Sequence, residues 1–371
     1  MSSIRYLLAA SVSLAAVMNA HAADYTSSLL YSQSYVYGRT YSAGINNAGQ
    51  IAGEFSLPKS GHIGATERNY TSYVGVWDGS TLINVGSVST MSAVTDINNA
   101  GQVAGYDAGS DFADARNSRG VVWQISNGAR TTNSQLGLIE GINDVGQSVG
   151  TVYLGSASLF APALWNGSTP QILSQRLSSS NPNFDMNSQA NGINNHGLIV
   201  GDSYGHAVTW QGASLTLTDL GEGTAAAVND VGDIVGSSGG AVVWRNGAKI
   251  ALGTLGGMGS GALDINEVGQ IVGSASTSAG KQHATLWVGQ DVIDLNQFLD
   301  AQLIADGWEL QSATGINDSG DISVDGYNAS KNQYGVFRLT SAVPEPASWV
   351  LMLLGFSLLA SIVRKSKSSI V

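Results

Sequence analysis

Cysteine is absent from the 371-residue chain, which excludes disulfides, thiolate nucleophiles and cysteine-ligated metals. Charged residues are also scarce at 12%, whereas glycine is abundant with 47 residues. This composition indicates many tight turns between short strands and a surface made polar by serine, threonine and asparagine. The hydrophobic fraction of 43% is typical of a folded protein, so the chain can form one large domain or two ordinary ones.

Two apolar segments stand at the ends of the chain. Residues 1–22 predict a secretory signal peptide, because Arg5 precedes an apolar run and Ala20-His21-Ala22 forms a small-x-small cleavage site. Residues 347–363 predict a short transmembrane helix, and a buried core helix is the alternative. The basic cluster that follows this segment predicts that the tail stays on the cytoplasmic side, so the bulk of the chain faces outward.

The body between these segments, residues 23–342, is strongly acidic. It keeps 12 of the 16 basic residues and 26 of the 27 acidic ones, which gives a net charge near −14. We therefore expect no binding to nucleic acid or anionic lipid through bulk charge.

A ten-residue motif, first seen as "GINNAGQIAG" at 44–53, occurs seven times in the body. Its asparagine side chain can bond to backbone N–H groups as an Asx-turn, and the glycine three positions later can adopt a positive φ. Apolar residues flank the turn, so each copy predicts strand, tight turn and strand. The motif asparagines are Asn46, Asn98, Asn143, Asn194, Asn229, Asn266 and Asn317.

A second motif, an apolar strand that ends in an aromatic residue, follows each copy of the first. Six of the eight tryptophans occupy this position, and Phe337 takes it in the last unit. Each unit therefore contains four short strands, and successive asparagines are 35 to 52 residues apart, as in propeller blades. The tryptophans, expected to pack between blades, are Trp77, Trp123, Trp165, Trp210, Trp244 and Trp287.

Seven units predict an all-β, seven-bladed β-propeller, with six blades as the alternative. The chain ends soon after Phe337, whereas strand-like residues precede the first motif. We therefore expect an N-terminal strand to complete the last blade and to leave no free edge.

The C-terminus resembles the PEP-CTERM sorting signal of Gram-negative bacteria. Pro344-Glu345-Pro346 precedes the apolar segment, and Arg364, Lys365 and Lys367 follow it, although "SKSSIV" runs beyond the usual basic end. The resemblance implies export, an intermediate anchored in the inner membrane, and recognition by an exosortase. It also implies delivery to the cell surface or the extracellular matrix.

The repeats are similar to the HAF-type extracellular repeat. His206-Ala207 and His283-Ala284 match the start of its His-Ala-Phe-like strand, whereas the other units have Tyr, Gly or Ala in place of His. This resemblance implies a location outside the cell and leaves the activity open.

No catalytic constellation stands out from the repeats. His206 and His283 occupy a repeat position, so we predict structural roles for them, and no His-x-x-x-His pair occurs. We expect no cofactor, and the alternative is calcium in the loops that are rich in aspartate, asparagine and glycine. The weak candidates for calcium ligands, with solvated loops as the alternative, are Asp107, Asp111, Asp114, Asp233 and Asp321.

One stretch of the body has a helical pattern. Apolar residues in 295–310 follow the spacing of an amphipathic helix, which predicts either a lid over one face or a packed connector.

The sequence favours a non-enzymatic protein of the cell surface or biofilm matrix that binds polysaccharide or another protein through propeller loops. The alternative is a secreted hydrolase or lyase that acts on exopolysaccharide. Two or more carboxylates on one face beside an aromatic platform would favour the enzyme.

Overall fold

The structure is a computed structural model that describes residues 25–34, 40–58, 70–88, 93–108, 117–155, 160–174, 188–211 and 214–342. The chain divides into two compact units, one of which is Thr26–Thr340. The other comprises Met1–Tyr25 and Ser341–Val371, nearly all of it outside the described residues. The predicted signal peptide and the predicted helix at 347–363 fall there. Within the described ranges, no helix is long and apolar enough to cross a bilayer.

The described residues form seven four-stranded sheets, which are the seven blades of a β-propeller. Blade 1 comprises β2 (Tyr41–Ile45), β3 (Ile51–Pro58), β4 (Tyr70–Asp78) and β5 (Thr81–Val88). Blade 2 comprises β6 (Ala93–Ile97), β7 (Gln102–Asp107), β8 (Arg119–Gln124) and β9 (Arg130–Thr132). Blade 3 comprises β10 (Gly137–Ile142), β11 (Ser148–Tyr153), β12 (Phe160–Trp165) and β13 (Pro170–Ile172).

The remaining blades repeat the same order of strands. Blade 4 comprises β14 (Ser188–Ile193), β15 (Ile199–Ser203), β16 (His206–Gln211) and β17 (Thr216–Glu222). Blade 5 comprises β18 (Thr224–Val228), β19 (Ile234–Ser237), β20 (Ala241–Arg245) and β21 (Ala248–Ala251). Blade 6 comprises β22 (Gly256–Ile265), β23 (Ile271–Thr277), β24 (Gln282–Val288) and β25 (Asp291–Asp294). Blade 7 comprises β26 (Trp308–Ile316), β27 (Ile322–Asn328), β28 (Gln333–Ser341) and β1 (Tyr25–Ser34).

Blade 7 contains strands from both ends of the body. β26, β27 and β28 pair in sequence order, and β1 adds outside β28. This arrangement confirms the expected closure and the blade number of seven. The first and last strands are thereby held in one sheet, so the ring has no gap between its ends.

Each Asn turn has the local chemistry that the motif predicts, and blade 3 serves as the example. The Asn143 N–H donates to the Gln147 carbonyl at 3.0 Å, and the Asn143 side-chain oxygen accepts from the Gln147 N–H at 2.9 Å. Gly146 has a φ of 81°, a conformation that favours glycine. At the end of the motif, a Cβ on Gly150 would collide with the Leu138 carbonyl oxygen, because the strands approach closely beside a bulge.

The motif asparagines also join neighbouring blades. Each side-chain amide donates to the backbone carbonyl of the corresponding asparagine in the next blade, at 2.8 to 3.3 Å. The seventh bond, from Asn317 to Asn46, closes the circle. We call this circle of seven buried asparagines the Asn ring.

The repeated aromatic residues form the contacts between blades farther from the axis. Trp123 of blade 2 packs against Val74 and Val76 of blade 1, and Trp77 of blade 1 packs in a cluster with Val336 of blade 7. Both tryptophans are 1% exposed. Burial of such large side chains between blades contributes several kcal/mol each to folding, about 3–5 when they are truncated to alanine.

The two faces of the propeller differ in the lengths of their connections. The Asn turns lie on one face, which we call the turn face, together with short hairpins such as Gly79-Ser80 between β4 and β5. At the opposite face, the loop face, β3 ends and β4 begins, and β7 ends and β8 begins; residues 59–69 and 109–116 between these strands lie outside the described residues. The number of residues between strands that end and begin at the loop face differs from blade to blade, which accounts for the variable spacing of the motif.

The helical pattern at 295–310 corresponds to a connector from β25 to β26. The structure has a 3₁₀ turn at Leu295–Phe298 and an α-helix at Ala301–Ala305, with Leu295 buried. The helix is shorter than the pattern indicates, because Asp300 caps a new turn and the chain already enters β26 at Trp308.

Replacement of Asn143 by alanine tests the Asn ring. The Asn143 side chain would lose bonds to the Gln147 N–H, the Gln147 side chain and the Asn194 carbonyl. We expect the free energy of unfolding to fall by about 3 kcal/mol, measured by urea denaturation.

Two further variants separate the roles of this side chain. Asn143→Asp keeps the acceptor and removes both donors, so its loss should approach that of Asn143→Ala. The exposed Asn127, which accepts only a local bond from Ala129, is the control, with an expected loss below about 1 kcal/mol for Asn127→Ala. Equal losses for Asn127→Ala and Asn143→Ala would contradict this role of the ring.

Candidate functional site: a polar channel on the propeller axis

The innermost strands of the seven blades enclose a channel of about 450 Å³. Its outer rim on the turn face is formed by the residue after each motif asparagine. We call these residues the mouth ring: Asn47, Asn99, Asp144, Asn195, Asp230, Glu267 and Asp318.

The mouth ring is a second closed circle of hydrogen bonds between blades. The backbone N–H of each member donates to the side-chain oxygen of the next member at 2.7 to 3.0 Å. Amide groups bridge some of the carboxylates, since Asn195 donates to both Asp144 and Asp230. Asp230, Glu267 and Asp318 are consecutive, so no amide separates these three acids.

Deeper in the channel, a β-bulge in every blade turns one side chain toward the axis. The bulges interrupt the pairing of the first two strands of each blade at the same position. The residues that line the channel there form the bulge ring: Ala43, Thr95, Glu140, Asn191, Ala226, Leu263 and Thr314.

Two buried aspartates follow the bulge in blades 2 and 6, where four other blades have glycine. Asp96 accepts bonds from the N–H groups of Ile97 and Ile142, at 2.7 and 2.8 Å. Asp264 makes the equivalent bonds to Ile265 and Ile316. Burial raises the pKa of Asp96 to about 7 and that of Asp264 to about 6, although the backbone N–H groups lower both values. Each of these carboxylates joins two blades.

Two more acids are buried within or between blades. Burial raises the pKa of Glu54 to about 7, and its carboxylate accepts a bond from the Tyr41 hydroxyl at 3.0 Å. Asp325 of blade 7 accepts from the backbone N–H and the hydroxyl of Ser42 in blade 1, and burial raises its pKa to about 7.

The two repeat histidines lie outside the channel and bond to carboxylates. His206 Nδ1 lies 2.9 Å from Asp219 within blade 4. His283 bridges two blades, with Nδ1 at 2.7 Å from Asp294 and Nε2 at 2.9 Å from Glu309. Burial lowers the pKa of His283, but the bonds to both carboxylates raise it above the ordinary value.

The structure places the three candidate calcium ligands that it describes apart from one another. Asp107, Asp233 and Asp321 lie in blades 2, 5 and 7 and form ion pairs with arginines at 2.6 to 2.8 Å. Their partners are Arg130, Arg245 and Arg338, respectively. Asp111 and Asp114 lie outside the described residues, as does Pro344-Glu345-Pro346.

Among the residues that the structure describes, no three histidine or acidic side chains converge on a point suited to a metal ion. Calcium binding therefore stays a prediction from the sequence.

The mouth and bulge rings are absent from the set of sites that the sequence indicated. A signal for the mouth ring exists, because the position after each motif asparagine carries only Asn, Asp or Glu. The bulge ring has no comparable signal, since its residue types range from alanine to glutamate.

The buried carboxyls predict that stability falls as pH rises. A carboxyl whose pKa is raised in the folded state keeps a proton that the unfolded chain has already released. Folding is therefore favoured below the unfolded pKa, and this advantage is lost as pH rises through the folded value near 7. We expect a larger free energy of unfolding at pH 5 than at pH 8, measured by urea denaturation.

Glu54→Gln isolates the contribution of one buried carboxyl to this dependence of stability on pH. The variant should reduce the difference between pH 5 and pH 8 by about 2 kcal/mol. The exposed Glu222 serves as the control, since Glu222→Gln should leave the difference unchanged. A protein that is more stable at pH 8 than at pH 5 would contradict the assignment of these buried acids.

Comparisons with known proteins identify the C-terminal segment. Residues 342–367 match the PEP-CTERM protein-sorting motif, which implies export and exosortase-mediated sorting in general. Among solved structures, the chain is similar to TolB from Acinetobacter baumannii, with 11% identity and a TM-score of 0.42 over 79% of this chain and 64% of that chain. It thus spans less than two thirds of the TolB chain. It is also similar to the β-propeller domain of the Trilobed protease from Pyrococcus furiosus, with 11% identity and a TM-score of 0.34 over 71% of this chain and 99% of that domain. No curated protein sequence matches the chain.

Proposed function

We propose that the chain is a non-enzymatic binding protein displayed at the cell surface or in the biofilm matrix of a Gram-negative bacterium. The observation that carries this proposal is the sorting motif at 342–367, directly after the last propeller strand. An exosortase-type enzyme is the expected sorting partner, and polysaccharide or another surface protein is the expected ligand.

The propeller supports a binding role through the loop face. The short Asn turns fix the turn face, whereas the connections of variable length start and end at the opposite end of the blades. Variable loops on a rigid scaffold are a common place for recognition. Because a propeller supports many functions, these loops and the sorting motif support the binding role, whereas the fold alone does not.

The site favours binding over the alternative of a polysaccharide hydrolase or lyase. The channel mouth does bring four carboxylates to one face: Asp144, Asp230, Glu267 and Asp318. However, no aromatic residue is among the described residues that line the channel. Carbohydrate-cleaving acids need a sugar held against them, and an aromatic platform is absent from this part of the site.

The sorting half of the proposal is tested by alanine replacement of Pro344, Glu345 and Pro346 together. In the native host, we expect the wild-type chain at the cell surface, where added protease can degrade it. The variant should remain in the inner-membrane fraction, because the exosortase no longer recognises it. Ser368→Ala is the matched control in the same tail. Normal surface display of the triple variant would contradict exosortase sorting through this motif.

The binding half is tested with a glycan array and a chain-length measurement on each glycan that is bound. We expect the exported protein to retain glycans without shortening them, with or without calcium. Shortened glycans would contradict the non-enzymatic role. Absence of binding to every glycan on the array would exclude polysaccharide from the proposed ligands.

A further inference from the structure

The charged residues among the described residues that line the channel are all acidic. Seven acidic residues and no lysine, arginine or histidine are among the described residues that line it. Asp96 and Asp264 are each satisfied by two backbone N–H groups. Their carboxylates are therefore part of the wall. The acids that remain open to a ligand are Glu140 and those of the mouth ring.

Glu140 is the bulge-ring residue whose polar group lacks a partner. At equivalent positions, Thr95 donates to the Ile139 carbonyl at 3.0 Å, and Asn191 donates to the Ala225 carbonyl at 2.8 Å. Glu140 makes no such bond, and its side chain has no hydrogen bond or ion pair with any described residue. Its side chain is partly buried and lines the channel. Desolvation there raises its pKa to about 7.

The mouth ring places further negative charge at the entrance. Asp230, Glu267 and Asp318 follow one another around the ring, and each accepts a backbone N–H. Burial raises the pKa of Glu267, and repulsion from both neighbours raises it further. The histidine beside this cluster is His196, whose Nδ1 lies 3.7 Å from Asp230. A cation at the mouth would relieve this repulsion.

The spacing of the acids selects for an elongated cation. Glu140 lies on β10, whereas Asp144 lies in the turn beyond the end of that strand at Ile142, so the rise of the strand alone separates their levels in the channel by roughly 7 Å. Within the described residues, no three acidic or histidine side chains meet at metal-binding distance. A compact ion can neutralise carboxylates at only one of these levels, whereas a linear molecule with an ammonium group at each end can neutralise carboxylates at both.

We propose that the channel binds a linear polyamine, with one ammonium group at Glu140 and another at the carboxylates of the mouth ring. The channel volume of about 450 Å³ accommodates such a molecule, and its polar wall of asparagine and threonine excludes a purely apolar ligand. This site goes beyond the proposed recognition through the loop face. It depends on neither the sorting signal nor a polysaccharide ligand.

The experiment is calorimetric titration of spermidine into the exported full chain, purified in detergent at low ionic strength. We expect saturable one-to-one binding with a Kd below about 1 mM. Glu140→Gln should weaken binding by at least about tenfold, because the inner ammonium group loses its charge partner. Asp291→Asn, which removes an exposed charge on β25 in blade 6, should bind like the wild type. High salt should weaken wild-type binding, since it screens the exposed carboxylates of the mouth.

The Glu140→Gln variant should fold, because blade 4 already carries the amide Asn191 at the same bulge position. Thermal unfolding checks that Glu140→Gln is folded. If it is not folded, Glu267→Gln is used as the test variant instead. Absence of spermidine binding, or equal affinity in wild type and a folded variant, would overturn the proposal. Calcium binding at the channel that spermidine does not displace would overturn it as well. Sorting and glycan binding are measured separately, so their failure is distinguishable from failure here.

Discussion

The propeller depends on seven hydrogen bonds between neighbouring blades. In each of them, the side-chain amide of a motif asparagine donates to the backbone carbonyl of the motif asparagine in the next blade. Each of these asparagines also closes its own hairpin through its side-chain oxygen. One residue type therefore fixes both the turn and the next blade. Aspartate lacks the donor, and serine lacks the reach to serve both partners. This double use explains why the motif is repeated so strictly while the other connections vary in length.

The Asn ring holds the blades together, so neighbouring positions around the channel are free to carry different types of side chain. The next residue joins blades through its backbone N–H and its side-chain oxygen, so Asn, Asp and Glu all satisfy the mouth ring. Within the bulge ring the constraint is weaker still, and alanine, leucine and glutamate all occur. The charge of the channel can therefore change without loss of the fold. The accumulation of acids there, including the unpartnered Glu140, is a property of this chain rather than of the architecture.

Local chemistry accounts for most of what the sequence predicted. The Asn turn, the positive-φ glycine and the tryptophan strand are short-range patterns, and they predicted four strands per unit and seven blades correctly. The helical pattern at 295–310 is confirmed only as a 3₁₀ turn and a short α-helix, because the chain enters a strand at Trp308. The ion pairs of Asp233 and Asp321 escaped prediction since their arginines lie on a different strand. The circular bonds between blades could not be predicted either, because they join residues that only ring closure brings together.

Hydrogen exchange across the seven Asn turns tests the central role of the ring most directly. The amides that donate to the motif asparagines, such as that of Gln147, report the opening of each turn. If the ring couples the blades, all seven turns should open with similar free energies in the wild type. Loss of one member, as in Asn229→Ala, removes the bond from blade 5 to blade 6 and should then increase exchange in distant blades as well as in these two. Turns that open with widely different free energies, and a variant that affects only its own blade, would contradict this account.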